Sequence, residues 1–376
     1  MNPLASLDLT YVCADRGISL RGTKGAANHV RELASALAAR TRRFRLCVAR
    51  DDGPEPAPDV ARATLAELAA DPPADVVLER WSLGSNLGVA LADAAGAEFW
   101  LEIDAPLVDE ALAHRGLAAG DAERERALFA RLARRADLLL AVSPALVDHA
   151  IAHGAPRRRT LLLPNAFASE RFCDLPPRAA TRQRHGLRDD AFTLVFAGGF
   201  RPWHDLPTLI AGFARLREEA PDARLVLAGE GPTRAGLDRA ALAALEVRDL
   251  GHVPARELPA LLAAADVGVS PNRADAGDWF CPLKIREYQA AGLAVVASAD
   301  AGANAAVVDG TTGLLVPPGD VDALVRALRR LRDDPALLWR IAAAGRADAF
   351  ARATYERQLD RIDAFRGAVL AQGTSS

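Results

Sequence analysis

The chain has 376 residues, half of them hydrophobic and a quarter charged, with a formal net charge of -3. That length suits two α/β domains better than one core, the composition is that of a folded chain rather than a disordered one, and the near-balanced charge excludes a global basic field of the kind that binds nucleic acid. Four cysteines, Cys13, Cys47, Cys173 and Cys281, are widely spaced with no Cys-x-x-Cys. This argues against a zinc site or a disulfide framework and for reduced thiols in the cytoplasm. The first residues lack a basic-then-apolar leader pattern, and no apolar run is long enough to span a bilayer. The expectation is a cytoplasmic protein without an integral membrane segment, with peripheral membrane contact left open.

Along the chain, short apolar runs alternate with alanine- and leucine-rich helical patterns. The expected strands are Leu7–Ala14, Phe44–Ala49, Val76–Glu79, Phe99–Ile103, Leu138–Val142 and Thr160–Leu163, then Phe192–Ala197, Arg224–Ala228, Val247–Gly251, Val267–Ser270 and Ala294–Ala297. These runs are continuously apolar, not alternating, which points to parallel strands covered on both faces. Helices between them give βαβ units and two doubly wound sheets. Cys13 and Cys47, inside such runs, are expected in the core. The pattern breaks near Phe172–Arg188, where Pro176 and Pro177 precede a polar basic stretch. An interdomain linker is expected there, dividing the chain into domains at 1–175 and 185–354, with a last helix over 355–376. The arginine run Arg157–Arg159 reads as a solvated loop.

In such sheets ligands bind beyond the carboxyl ends of the strands, so the loops there are the candidates. The first strand leads into a loop with Gly22, Lys24 and Gly25, then a helix containing His29. Glycines at a strand-to-helix turn let backbone N–H groups approach an anion, and Lys24 adds a cation; an ordinary flexible loop and a structural histidine are the alternatives. In the second half, Gly198-Gly199-Phe200-Arg201-Pro202-Trp203-His204 follows a strand, and Arg201 suits a diphosphate or a plain surface position. Gly229-Glu230-Gly231 gives two glycines of the dinucleotide fingerprint, but Arg234 stands where its third would be, which disfavours a nicotinamide dehydrogenase. The richest cluster is Asp278-Trp279-Phe280-Cys281-Pro282-Leu283-Lys284-Ile285-Arg286-Glu287. Pro282 suits a first helical position, and Lys284 and Glu287 then share a helix face. That face could hold phosphates and a ribose, or be a simple surface ion pair.

Together these loops resemble the large retaining family 4 of GT-B glycosyltransferases. The matching stretches are Gly22–Val30, Ala141-Val142-Ser143, Pro164-Asn165, Gly198–His204, Ala228–Pro232, Pro282–Gly292 and Asp309–Asp320, collinear over nearly the whole chain. The resemblance implies two Rossmann-like domains facing across a cleft, the second binding a nucleotide-diphosphate sugar and the first an acceptor. It implies that Glu287 holds the donor ribose, and that Lys284 with Gly198, Gly199, Phe200, Arg201 and His204 meets the diphosphate. Val253, Pro254 and Glu257 would contact the base, and backbone N–H groups around Cys281, Pro282 and Leu283 the sugar and phosphate oxygens, with Asp278 and Phe280 also on the donor side. Gly25 and Gly229 complete the donor side. Lys24, His29, Glu79, Arg80, Glu102 and Asp104 are the acceptor-side candidates. Glu79, Arg80, Glu102 and Asp104 could equally be structural groups at strand ends.

The chain departs from the family in places. The position eight residues before Glu287 is Trp279 instead of a glutamate, with Asp278 adjacent. The usual lysine of the Gly198 loop is His204, and the usual arginine aligns with Gly199. The resemblance implies retained anomeric configuration with Lys284, Glu287, Arg201 and Asp104 at the chemistry, and neither a metal nor a cofactor beyond the co-substrate. A sugar-nucleotide 2-epimerase or a non-catalytic sugar-nucleotide-binding protein of the same fold are the alternatives. The donor base, sugar, acceptor and oligomeric state stay open.

Overall fold

Eleven of the apolar runs form strands within two residues of the expected bounds. In the computed structural model, which describes residues 3–373 except 74, 276, 278, 280 and 282, the first six are β1 (Asp8–Cys13), β2 (Arg43–Val48), β3 (Val76–Arg80), β4 (Glu98–Ile103), β5 (Leu138–Ala141) and β6 (Thr160–Leu162). They form one sheet in the order β2-β1-β3-β4-β5-β6, each neighbouring pair parallel. The second sheet joins β7 (Thr193–Ala197), β8 (Arg224–Ala228), β9 (Arg248–Gly251), β10 (Val267–Ser270), β11 (Ala294–Ser298) and β12 (Leu314–Val316). Its order is β12-β11-β10-β7-β8-β9. The sequence reading missed β12, a three-residue edge strand within the Asp309–Asp320 stretch.

Continuous apolarity does what parallel sheets require. Along β7, Leu194 and Phe196 pack in one core with helix Leu206–Glu219, while Val195 and Ala197 pack in a second core with helix Leu283–Ala290. Both faces of the strand are therefore dry. Cys13 and Cys47 are buried as expected. Gly268 on β10 permits this packing, since a Cβ there would lie 2.4 Å from the Tyr288 ring. The Tyr288 hydroxyl accepts from the Ala197 N–H at 2.8 Å. Helix starts are set by short acceptors. Ser143, Asp205, Asp300, Asp320 and Asp334 each accept a first-turn N–H, satisfying donors that the helix itself leaves open.

The chain divides into two units. The first comprises residues 1–165 with 279–281 and 355–376, and the second 166–278 with 282–354. The stretch read as a linker is different in kind: Arg178–Arg184 is a helix of the second unit, and Arg182 is buried. Its guanidinium donates to the carbonyls of Ala264, Arg188 and Asp189 and pairs with Asp266 at 3.0 Å. A buried charge is stable only when so surrounded. The expected last helix is Tyr355–Gly373.

In both sheets the chain starts at an inner strand, builds outward on one side, then crosses to the other. The strand order reverses between β1 and β3 in the first unit and between β7 and β10 in the second. Loops leaving these strands diverge, so each reversal opens a crevice at the carboxyl ends. Among the described residues no helix is long and apolar enough to cross a membrane.

Candidate functional site

In the second unit the loops after β7 and β8 touch through their backbones. Gly198 and Gly229 have φ of +145° and +130°. A Cβ on Gly229 would lie 2.0 Å from the Gly198 carbonyl oxygen, and one on Gly231 2.5 Å from that of Phe200. Only glycine fits. The Phe200 side chain is fully buried in the core, so a ligand can meet this residue only through its backbone. Gly199 and half-buried Arg201 lie beyond it. The Arg201 guanidinium stands 6.0 Å from the Trp203 ring and has no carboxylate partner among the described residues.

His204 and Lys284 meet at the reversal of the second sheet. Lys284 Nζ lies 2.6 Å from His204 Nε2 and 4.7 Å from the Phe196 ring centre. His204 Nδ1 is 2.6 Å from the Gly199 carbonyl oxygen. A carbonyl only accepts, so the ring proton sits on Nδ1 and Nε2 accepts from the lysine. Burial, reinforced by Lys284, pushes His204 down to about 2. Burial also lowers Lys284 to about 7, while Asp300 and Glu287 pull it upward. A lysine in a desolvated spot next to glycine backbone has the chemistry to receive an anion.

Lys284 and Glu287 do not form the surface pair that their spacing allowed. Glu287 is buried and its Oε1 accepts from Arg171 Nη1 at 3.0 Å. Arg171 Nη2 donates to the Ala255 carbonyl at 2.9 Å. Arg171 therefore ties Glu287 to the loop that holds Val253, Pro254 and Glu257. In that loop Val253 packs on the core, the Pro254 carbonyl accepts from the Glu257 N–H, and the Glu257 side chain is exposed. Leu283 also packs on this core. Asp278, Phe280 and Pro282 lie outside the described residues. Cys281 belongs to the first unit, where its carbonyl accepts from Asn165 Nδ2 at 2.8 Å.

The first unit gathers four of the six acceptor-side candidates. His29, on helix Gly25–Arg40, is buried, with Nε2 at 2.8 Å from Glu102 Oε1 and 3.9 Å from Asp104 Oδ1. Arg80 Nη1 lies 2.5 Å from Asp104 Oδ2 and 3.7 Å from Glu102 Oε2. Two residues not foreseen complete the group. Tyr11 donates to Glu102 Oε2 at 2.7 Å, and the Tyr355 hydroxyl lies 3.2 Å from His29 Nδ1. Burial opposes charge on His29, but Glu102 and Asp104 outweigh it and raise its pKa. Burial works against Glu102 as well, yet His29, Arg80 and Tyr11 hold it down at about 2. Asp104 is raised by burial, against the pull of Arg80. His29, Glu102 and Asp104 each bring one ligand atom within 4.8 Å of the others. Arg80 brings a positive charge to the same two carboxylates.

Lys24 and Glu79 stand apart from this group. Exposed Lys24 donates to the Gly17 carbonyl at 2.7 Å. Space beside Gly25 is open. Glu79 is fully buried and accepts from Ser85 Oγ at 2.5 Å and from the Gly88 N–H at 3.0 Å, so it closes the start of helix Leu87–Ala95.

Comparison with known proteins adds an independent line. The family described as glycosyl transferases group 1 matches residues 191–334, and the glycosyl transferase 4-like domain matches residues 24–166. A D-inositol 3-phosphate glycosyltransferase of Geodermatophilus obscurus is 32% identical over 332 residues, covering 80% of this chain and 68% of its own. One from Streptomyces avermitilis is 34% identical over 230 residues, covering 57% of this chain. The match spans about half the length of that relative, 49%. Among solved structures, that of HepE from Anabaena in complex with UDP superposes with a TM-score of 0.73 over 95% of this chain and 98% of its own, at 17% identity. At that identity the likeness is one of fold alone.

Proposed function

The chain belongs to the glycosyl transferases of group 1 and has their GT-B fold, and from that premise we propose that it is a retaining glycosyltransferase using a nucleotide-diphosphate sugar. The observation that carries this reading is the basic cluster at the β7–β10 reversal: Lys284 on His204, Arg201 with no carboxylate partner among the described residues, and the close-packed turns of Gly198 and Gly229. The second unit takes the donor, with Glu287, held by Arg171, accepting hydrogen bonds from the ribose hydroxyls. UDP in HepE, a protein of the same fold, supports a nucleoside diphosphate as the leaving group. The first unit takes the acceptor, in reach of the His29, Arg80, Glu102 and Asp104 group.

As the bond from the anomeric carbon to the diphosphate oxygen breaks, its electron pair passes to that oxygen. Lys284 and Arg201 stabilise the charge that develops there. The acceptor hydroxyl attacks from the same face, its proton passing to the departing diphosphate, and configuration is retained. Side-chain cations take the part that a metal plays elsewhere, so transfer proceeds without a divalent ion or a further cofactor. We put the reaction in the cytoplasm, on the ground that widely spaced cysteines without a Cys-x-x-Cys suit a reducing compartment.

Donor hydrolysis or transfer, followed with wild type, Lys284→Ala and Glu287→Gln, tests this reading. Removing one positioned electrostatic donor costs about 10²–10³ in turnover, so Lys284→Ala should lose turnover to that extent. Glu287→Gln should weaken nucleotide binding by about tenfold or more, the worth of charged hydrogen bonds. Full activity should persist in EDTA. A folded Lys284→Ala protein with wild-type kinetics would refute the assignment.

A further inference from the structure

In the first unit an open cavity of about 490 Å³ lies at the carboxyl ends of β1 and β3. This is the reversal point of the first sheet, where diverging loops leave room for a ligand. None of the six acceptor-side residues expected from the family lines it. Its polar wall is made by Asp15 and Arg16 from the loop after β1, by Asn86 ahead of helix Leu87–Ala95, and by Arg115 after helix Leu107–His114. Leu87 and Leu107 add an apolar patch.

The charges in this wall are unevenly spent. Asp15 Oδ1 is engaged by the Gly17 N–H at 2.7 Å. Arg115 has a loose contact, Glu110 at 3.4 Å, and both Arg115 and Arg16 are exposed. Arg16 has no carboxylate partner among the described residues. Asn86 makes no capping bond to the helix it precedes, because Glu79 from beneath takes the Gly88 N–H. Asn86 is exposed in the cavity wall. Two guanidinium groups match the geometry of a phosphate or carboxylate. An amide and a carboxylate beside them match hydroxyl groups, and the leucine patch matches the C–H face of a ring.

We propose that this cavity is the acceptor pocket and that it selects a small polyhydroxylated molecule carrying an anionic group, with Arg16 and Arg115 on the anion and Asp15 and Asn86 on hydroxyls. The word acceptor rests on the glycosyltransferase reading; the binding itself does not. The test is calorimetric titration of wild type, Arg16→Gln, Arg115→Gln and the double variant with glucose, glucose 6-phosphate, glucuronate and inorganic phosphate. In parallel, each protein is titrated with whichever of UDP, GDP and ADP wild type binds. Wild type should bind the two sugar anions about tenfold more tightly than glucose and than inorganic phosphate. Each single variant should lose about fivefold or more of that preference, and the double variant should treat all three sugars alike, with nucleotide affinity unchanged. Equal affinity for glucose and its anionic forms in wild type overturns the proposal, as does a preference that survives in the double variant. Failure to bind any nucleotide would instead count against the glycosyltransferase reading and leave the pocket result standing.

Discussion

Lys284 has its ammonium between an aromatic face and a neutral imidazole, 4.7 Å from the Phe196 ring centre and 2.6 Å from His204 Nε2. The groups that act on this nitrogen are Asp300, Glu287 and His204; Arg201 bears on His204. His204, at about 2, stays neutral throughout the working range, so pH dependence near neutrality belongs to the lysine. An unfolded lysine keeps its proton to about 10.4, whereas burial brings Lys284 to about 7. Between those values the unfolded chain binds a proton that the folded chain has released, so this group's contribution to stability rises with pH across the window. A bound diphosphate has the opposite preference, for the ammonium. Nucleotide binding at pH 8 should therefore take up close to one proton, and affinity should fall by up to about tenfold per pH unit above 7. Titration calorimetry in two buffers of different ionisation enthalpy measures the uptake. Lys284→Met should abolish it, and an unchanged proton count in that variant would remove Lys284 from the diphosphate site. The two partners could be named from their motifs, but not their contact, which spans 80 positions. Arg171 had no local signal at all: it is an arginine in a short turn, and its partner Glu287 lies 116 positions on.

At the level of elements, the strands were legible because burial on both faces demands continuous apolar residues, and that demand is local. The helix Arg178–Arg184 was not, because its buried residue is an arginine. What makes Arg182 tolerable is a ring of carbonyls and Asp266, up to 84 positions away, and composition alone reads the same segment as a solvated linker. The staple makes a sharp prediction. Arg182→Met should destabilise the second unit by roughly 3–5 kcal/mol, the usual cost of breaking a buried charged network from one side. Arg188→Ala removes an exposed guanidinium paired with exposed Asp190 and should stay within about 0.5 kcal/mol. Urea denaturation separates the two, and equal midpoints would show that Arg182 is not the anchor. Glu79 illustrates the same limit at a strand end. A carboxylate at that position could serve a substrate or a helix start, and only the backbone of Gly88, nine positions on, reveals which contact it makes.

At the level of the whole molecule, one topology serves twice. Each sheet reverses its strand order once, and each reversal carries a basic side chain: Lys284, seated on neutral His204, in the second unit, and the Arg16 and Arg115 pair of the cavity in the first. The units differ in how the chain builds them. The first takes residues 355–376 from beyond the second, whereas the second is interrupted only at 279–281. Helix Tyr355–Gly373 buries Tyr355, Leu359 and Ile362. It also sets Arg366 on Glu98 at 2.5 Å, Arg361 on the Leu162 carbonyl at 2.6 Å, and Asp363 on the Leu4 N–H at 3.1 Å. Leu4 lies in the short 3-10 turn Leu4–Ser6 ahead of β1, Leu162 on the edge strand β6, and Glu98 begins β4. Losing this helix strips apolar cover worth about 1.5–3 kcal/mol for each buried side chain and removes the Tyr355 hydroxyl from His29. A chain ending at Thr354 should therefore lose amide protection first in β1 to β6, while β7 to β12 keep theirs and nucleotide still binds. Arg366→Leu should show the same order of loss in a milder form. Hydrogen exchange resolved by segment, with nucleotide titration on the same samples, checks both. Simultaneous loss of protection in both sheets, or earlier loss in the second, would show that the terminal helix does not serve the first unit in particular.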